Sequence, residues 1–232
     1  MTNNKLVFFD MDGVLIDVGY YEEPSDKIGV STWRAIYEAL GILDEDEKLK
    51  RKFEAGEFSS YMSLSDEACR VFQRHGLTED KFLDVINSQK FMKGARETID
   101  ELKKRKMRTA VITGSFTTLA ERAKKELGID NAIAHCNLKF EEGKLSNWEL
   151  NPCDYEGKVD AFLRLAQKNG VESSECIYVG DEVNDIPLFK KAGFSIAFNC
   201  NKQQVKAAAS VVVSERDLRT ILRYIPRANQ IR

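Results

Sequence analysis

One stretch constrains this chain more than any other: Lys5 to Leu15, KLVFFDMDGVL. Four consecutive apolar residues, Leu6 to Phe9, predict a strand buried on both faces, the pattern of a parallel sheet. Two carboxylates, Asp10 and Asp12, follow with one residue between them, and Gly13 then permits a sharp turn. An open parallel sheet carries its site beyond the carboxyl ends of its strands. Asp10 is therefore expected at that rim. Two carboxylates ~4 Å apart repel by roughly 4 kcal/mol at an effective dielectric near 20. Such a pair calls for a divalent cation, a shared proton, or both. The plain alternative is an acidic turn, with Asp and Gly chosen for turn geometry.

The rest of the chain divides around this strand. Asp17 to Gly29 is polar, interrupted by Gly19 and Pro24, and reads as a linker without a strand. Apolar residues then recur at helical spacing in four runs: Trp33 to Leu40, Leu49 and Phe53, Met62 to Phe72, and Phe82 to Ile86. Gly41, Gly56 and Gly76 suit the helix stops, and Thr78 suits the cap of the fourth helix. From Met92 onward helices alternate with strands. Strands are predicted at Arg108 to Ile112, Ala132 to His135, Glu175 to Val179, Phe194 to Phe198 and Ser210 to Val213. A hairpin is predicted from Leu138–Phe140 and Lys144–Trp148, and a last helix over about Glu215 to Tyr224. This rhythm predicts an α/β fold: a doubly wound, mostly parallel sheet with a small helical domain inserted after strand one. The core is expected over 1–16 and 92–232, and the insertion over 17–91.

Composition narrows the function classes. The 232 residues carry a formal net charge of -2 and no long basic run, which argues against a nucleic-acid surface. The densest charge, Asp44 to Lys52, mixes signs at helical spacing and reads as a solvated helix face. The five cysteines include no C-x-x-C, so neither a disulfide framework nor a zinc site is expected, and their usage fits a reducing cytoplasm. No apolar run approaches the ~20 residues of a membrane span. A monomer or homodimer without nucleic-acid or membrane partners is expected. His75 and His135 lack ligand partners at useful spacing and read as structural; the insertion's aromatic residues read as its own core.

Three predicted strands end in polar residues: Asp10-Met11-Asp12, Thr113-Gly114-Ser115 and Gly180-Asp181-Glu182-Val183-Asn184-Asp185. In a parallel sheet these ends share one edge. A helix predicted to begin near Lys158 points its N-terminus at the same edge. Carboxylates alone repel an anion, but with Mg²⁺ bound and Lys158 alongside, the site attracts one. Thr113 offers a hydroxyl, Gly114 an approachable amide, and Asp10 a carboxylate nucleophile. That combination suits phosphoryl transfer, where positioning and charge neutralisation do most of the catalysis. Taken singly, Lys158 is a surface helix lysine, Asp185 a cap of the short helix after it, and Ser115 a cap of the helix that follows.

These motifs, D-M-D-G-V, V-I-T-G-S, Lys158 and G-D-E-V-N-D in that order, resemble the haloacid dehalogenase superfamily of phosphatases, most closely its phosphoserine phosphatase branch. The likeness continues through K-K-A-G-F-S-I-A-F and S-E-R-D-L-R-T-I-L. The resemblance implies that Asp10 forms an aspartyl-phosphate and that Asp12 protonates the leaving oxygen, then deprotonates water. It implies that Asp10, the Asp12 carbonyl and Asp181 hold Mg²⁺. Thr113, Gly114, Lys158 and Asn184 would bind phosphate or substrate, and Asp185 would orient Lys158 or a metal-bound water. The insertion would be the cap that selects a small phosphorylated metabolite, with phosphoserine the leading candidate.

The pattern departs from that branch in the cap. A glutamate and an arginine that grip the amino acid fall by register at Gly19 and near Glu67. Glu22, Glu23 or Arg70 would have to replace them. A phosphatase for another metabolite, a phosphomutase and a phospho-accepting regulatory domain remain the alternatives.

Overall fold

The computed structural model describes residues 6–23, 26–29 and 31–226; the side chains of 20–29 and of residue 156 lie outside that description. In chain order the elements are β1 (Leu6–Phe9), β2 (Tyr20–Glu23), β3 (Asp26–Gly29), α1 (Thr32–Leu40), α2 (Leu43–Glu54), α3 (Tyr61–Arg74) and α4 (Glu79–Ser88). Then follow α5 (Ala95–Lys104), β4 (Arg108–Phe116), α6 (Thr117–Leu127), β5 (Asn131–Glu141), β6 (Lys144–Leu150) and α7 (Lys158–Lys168). The chain closes with β7 (Cys176–Gly180), α8 (Ile186–Phe189), β8 (Phe194–Phe198), α9 (Gln203–Ala208), β9 (Val211–Val213) and a 3-10 helix at Leu218–Arg223.

Seven strands form one sheet in the order β6-β5-β4-β1-β7-β8-β9. All neighbours are parallel except the β5–β6 hairpin. β1 lies between β4 and β7, with Phe9 opposite both Val111 and Val179. Every residue of β1 is buried. Its side chains alternate: Val7 and Phe9 enter one apolar cluster, Leu6 and Phe8 the cluster on the other face. A strand covered on both sides must be apolar throughout, and this one is.

The four helices α1–α4 follow the sequence pattern closely. Ser31 caps α1 by accepting from the Arg34 amide, and Gly41 closes it at φ 71°. Thr78 caps α4 through the Lys81 amide. Their apolar faces carry Ile36, Tyr37, Ala68, Phe72 and Phe82 into the same cluster as Val7 and Phe9. Where the chain leaves and re-enters the sheet layer, the two passages run side by side. The Asp17 amide donates to the Lys90 carbonyl (2.8 Å) and the Met92 amide to the Leu15 carbonyl (2.8 Å).

Five expectations need correction. The polar segment after β1 is not strand-free: β2 and β3 pair as an antiparallel hairpin. Ala132–His135 and Leu138–Phe140 are one strand, β5, because β6 continues pairing with it back to Cys136–Leu150. The C-terminal helix is a short 3-10 helix, and α9 forms where no helix was expected. The charged run Asp44–Lys52 is not simply solvated. Asp46 is buried and accepts from Arg34 (2.7 Å) and Lys50 (2.8 Å). Among the described residues no helix is long and apolar enough to cross a membrane.

Candidate active site

The ends of β1, β4 and β7 meet the first turn of α7. The Asp10 amide donates to the Val179 carbonyl (2.9 Å), so the residue after β1 stays locked to β7. Lys158, the first residue of α7, is fully buried. Its Nζ donates to Asp10 Oδ1 (3.0 Å) and to Asp185 Oδ1 (2.8 Å). Asp185 has no capacity left. Its Oδ1 also accepts from the Tyr178 hydroxyl (2.9 Å), and its Oδ2 accepts from the Asp181 and Glu182 amides (3.0 and 3.1 Å). A carboxylate so fully engaged is a fixed strut for Lys158 and for the loop after β7.

Asp181 is the opposite case. Its Oδ1 is buried with no hydrogen-bond partner. One oxygen each from Asp10, Asp181 and Asp185 lie within 4.8 Å of one another. Gly13 adopts φ +89°, and a Cβ there would stand 2.1 Å from Asp181 Oδ2. No other residue permits both the backbone turn and that approach.

The electrostatics call for more positive charge than Lys158 supplies. Burial, reinforced by Asp185 and Asp154 and opposed by Lys158, pushes the Asp10 carboxyl up to about 8. Burial, then Asp10 and Asp185, holds Asp181 well above the usual carboxylate range. For Lys158 burial works against the ammonium, but Asp10 and Asp185 outweigh it and hold the group well above its ordinary value. An orphaned buried carboxylate oxygen among hard oxygen donors fits a divalent cation such as Mg²⁺.

Asp12 faces the helical segment. Thr32, at the start of α1, gives its amide to Asp12 Oδ2 (3.2 Å) and its hydroxyl to Oδ1 (2.7 Å). Burial raises the Asp12 carboxyl, and these two bonds oppose the rise without cancelling it. Next along α1, the Trp33 indole donates to the Gly114 carbonyl (2.9 Å) and packs 4.4 Å from the Phe116 ring. The Thr113 hydroxyl accepts from the Ser115 amide (3.0 Å), which leaves its proton available. Ser115 does not cap α6: the cap position is Phe116, and the buried Ser115 hydroxyl has no partner.

A cavity of about 350 Å³ opens above these groups, touched by Asp10, Asp12, Thr113, Gly114 and Asn184. Its far wall is Trp33, Tyr37, Phe53 and Tyr61, so part of the insertion's aromatic set faces the site, while Phe72 and Phe82 are core. Lys50 and Glu54 also line it. The cap positions named by register do not. Gly19 borders a separate depression beside Ala35 and Val85. Arg70 is exposed, paired to Asp66 (2.8 Å), and Glu67 accepts from Arg74 (2.9 Å). The Glu22 and Glu23 side chains lie outside the described residues. His135 is structural, as expected: its ring nitrogens meet Asn151 O (2.7 Å) and Ser65 Oγ (2.9 Å).

Three site residues escaped the sequence reading: Thr32, Trp33 and Asp154. Asp154 is buried, touches the cavity, and accepts from Asn184 Nδ2 (2.6 Å). Its spacing of four from Lys158 was the available signal. Thr32 and Trp33 gave none, because their partners lie 20 and 81 residues away.

A family model described as haloacid dehalogenase-like hydrolase matches residues 4–193. A phosphoserine phosphatase of Methanocaldococcus jannaschii is 33% identical over 228 residues, covering 95% of this chain and 97% of the relative. One from Lactococcus lactis is 31% identical over 226 residues, covering 97% of each. A solved structure described as a phospho-aspartyl intermediate analogue of phosphoserine phosphatase superposes with a TM-score of 0.78 at 30% identity, covering 97% of this chain and 100% of that one.

Proposed function

Since the chain belongs to the haloacid dehalogenase-like hydrolase family, we propose that it hydrolyses a small phosphate monoester through an aspartyl-phosphate on Asp10, with phosphoserine the leading candidate substrate. Asp10 attacks phosphorus, and the ester oxygen leaves with the proton of Asp12. The Asp12 carboxylate then takes a proton from water as that water attacks the acyl phosphate, and inorganic phosphate departs. Thr113, Gly114, Lys158 and Asn184 hold the phosphoryl oxygens, and Asp185 keeps Lys158 aimed. Asp10, Asp181 and the Asp12 carbonyl would hold Mg²⁺, which supplies charge neutralisation for the transferring group.

Residues 1–16 and 92–232 form the catalytic core in this reading, and 17–91 the cap that closes over the substrate. The side-by-side passages at Leu15–Asp17 and Lys90–Met92 support that division. The enzyme would work in the cytoplasm, as a monomer or homodimer.

The observation that carries the reading is the fully buried Lys158 ammonium shared between Asp10 and Asp185 at the rim, beside the unsatisfied oxygen of Asp181. A panel of phosphorylated metabolites with Mg²⁺, scored by free phosphate, tests it. Phosphoserine should be among the esters turned over, and Asp10→Asn should reduce release to background. Full hydrolysis by that variant would remove Asp10 as nucleophile.

A further inference from the structure

We propose that the Asp154 carboxylate occupies the seat of the phosphoryl group and sets how weakly the site holds phosphate. The inference rests on the phosphatase reading for the identity of the seat. Of the four residues assigned to the phosphoryl oxygens, three stand next to Asp154. Asn184 Nδ2 donates to its Oδ1 (2.6 Å), and Lys158 Nζ lies 3.9 Å from the same oxygen. Its Oδ2 packs on Gly114 where a side chain would begin: a Cβ there would stand 1.9 Å away. The face of the glycine that a side chain would take is thus occupied by a carboxylate of the chain itself.

The segment bearing Asp154 is held from both sides. The Cys153 thiol donates to the Thr113 carbonyl (3.5 Å), and the Gly157 amide donates to the Asp154 carbonyl (3.0 Å). Departure of the carboxylate is then a rotation of the side chain. Lys158 is drawn towards Asp10 and Asp185, at 3.0 and 2.8 Å, and grips Asp154 less closely. A phosphoryl dianion reaches Gly114, Lys158 and Asn184 only when the carboxylate gives up Asn184 and turns away. It then sits beside a like charge in a site of low dielectric. That penalty falls on substrate and on product phosphate alike. It raises KM and relieves product inhibition without acting selectively on the transition state.

Two variants test this. Asp154→Asn keeps the shape and an acceptor for Asn184 while removing the charge; Asp154→Ser empties the seat. Binding of inorganic phosphate in the presence of Mg²⁺ is read by calorimetry, with no turnover involved. Both variants should bind phosphate at least tenfold more tightly than the parent chain, and kcat/KM for a hydrolysed ester should rise through a lower KM. If either folded variant binds phosphate equally or more weakly, Asp154 only positions Asn184 and Lys158, and the proposal falls. Failure to hydrolyse any ester would sink the phosphatase reading, yet the phosphate affinities would still decide this one.

Discussion

Thr32→Val removes one hydrogen bond from a carboxylate 20 residues away, and its consequence is calculable. The substitution preserves side-chain shape and the amide bond to Asp12 Oδ2, and deletes the 2.7 Å hydroxyl bond to Oδ1. Thr32 is fully buried, so water does not readily replace the lost donor. A hydrogen bond to a charged group contributes about 1.5–3 kcal/mol. Since 1.36 kcal/mol corresponds to one pH unit, losing it from the ionised form alone moves the Asp12 titration upward by about 1–2 pH units. In the proposed mechanism Asp12 must be ionised to accept the proton of water and neutral to protonate the leaving oxygen. The acid limb of kcat should therefore move upward by that amount, phosphoenzyme hydrolysis should slow near neutrality, and acid quench should trap more phosphoenzyme than in the parent. Profiles from pH 5 to 9 with a rapid-quench measurement provide the assay. An unchanged acid limb with only a raised KM would refute the reasoning. Thr32 would then merely fasten α1 to the core.

Further outcomes follow from the same geometry. Asp10 has its ordinary value of 3.8 raised to about 8 by burial, so in chelator it contributes stability that is complete below 3.8 and lost as pH rises through about 8. The loss runs up to about 1.4 kcal/mol per pH unit for one proton, and the gain in melting temperature from Mg²⁺ should grow across that window; a gain independent of pH would contradict it. Lys158→Met leaves the Asp185 carboxylate buried without its cation and should cost about 3–5 kcal/mol in denaturant titration at neutral pH. Arg70 is exposed and turned away from the cavity, so Arg70→Ala should leave the KM for phosphoserine within about twofold, as expected for a screened surface pair. A larger rise would restore Arg70 as a substrate contact.

Much of the core was legible because its signals are local. An apolar run covered on both faces reads as a buried parallel strand wherever it occurs, and β1 met that expectation at every residue. Asp10, Asp181 and Lys158 are legible as neighbours because the first two follow the ends of β1 and β7 and the third begins α7, and a parallel sheet brings such ends to one edge; Thr113 lies within β4, which runs on to Phe116 beyond the end at Ile112 that the sequence predicts. The β2–β3 hairpin was not found, since its residues are polar and interrupted by Gly and Pro. Asp46 misled for a related reason: Arg34 approaches from α1, a neighbour that helical spacing within α2 cannot reveal.

The sheet, the helical insertion and the polar residues at the strand ends are legible along the chain, because periodicity and residue type act over a few neighbours. How the insertion meets those strand ends follows from packing alone. Thr32 on Asp12 and Trp33 on Gly114 are contacts between surfaces that meet only after folding. Their strength depends on a distance and a burial that no local pattern encodes.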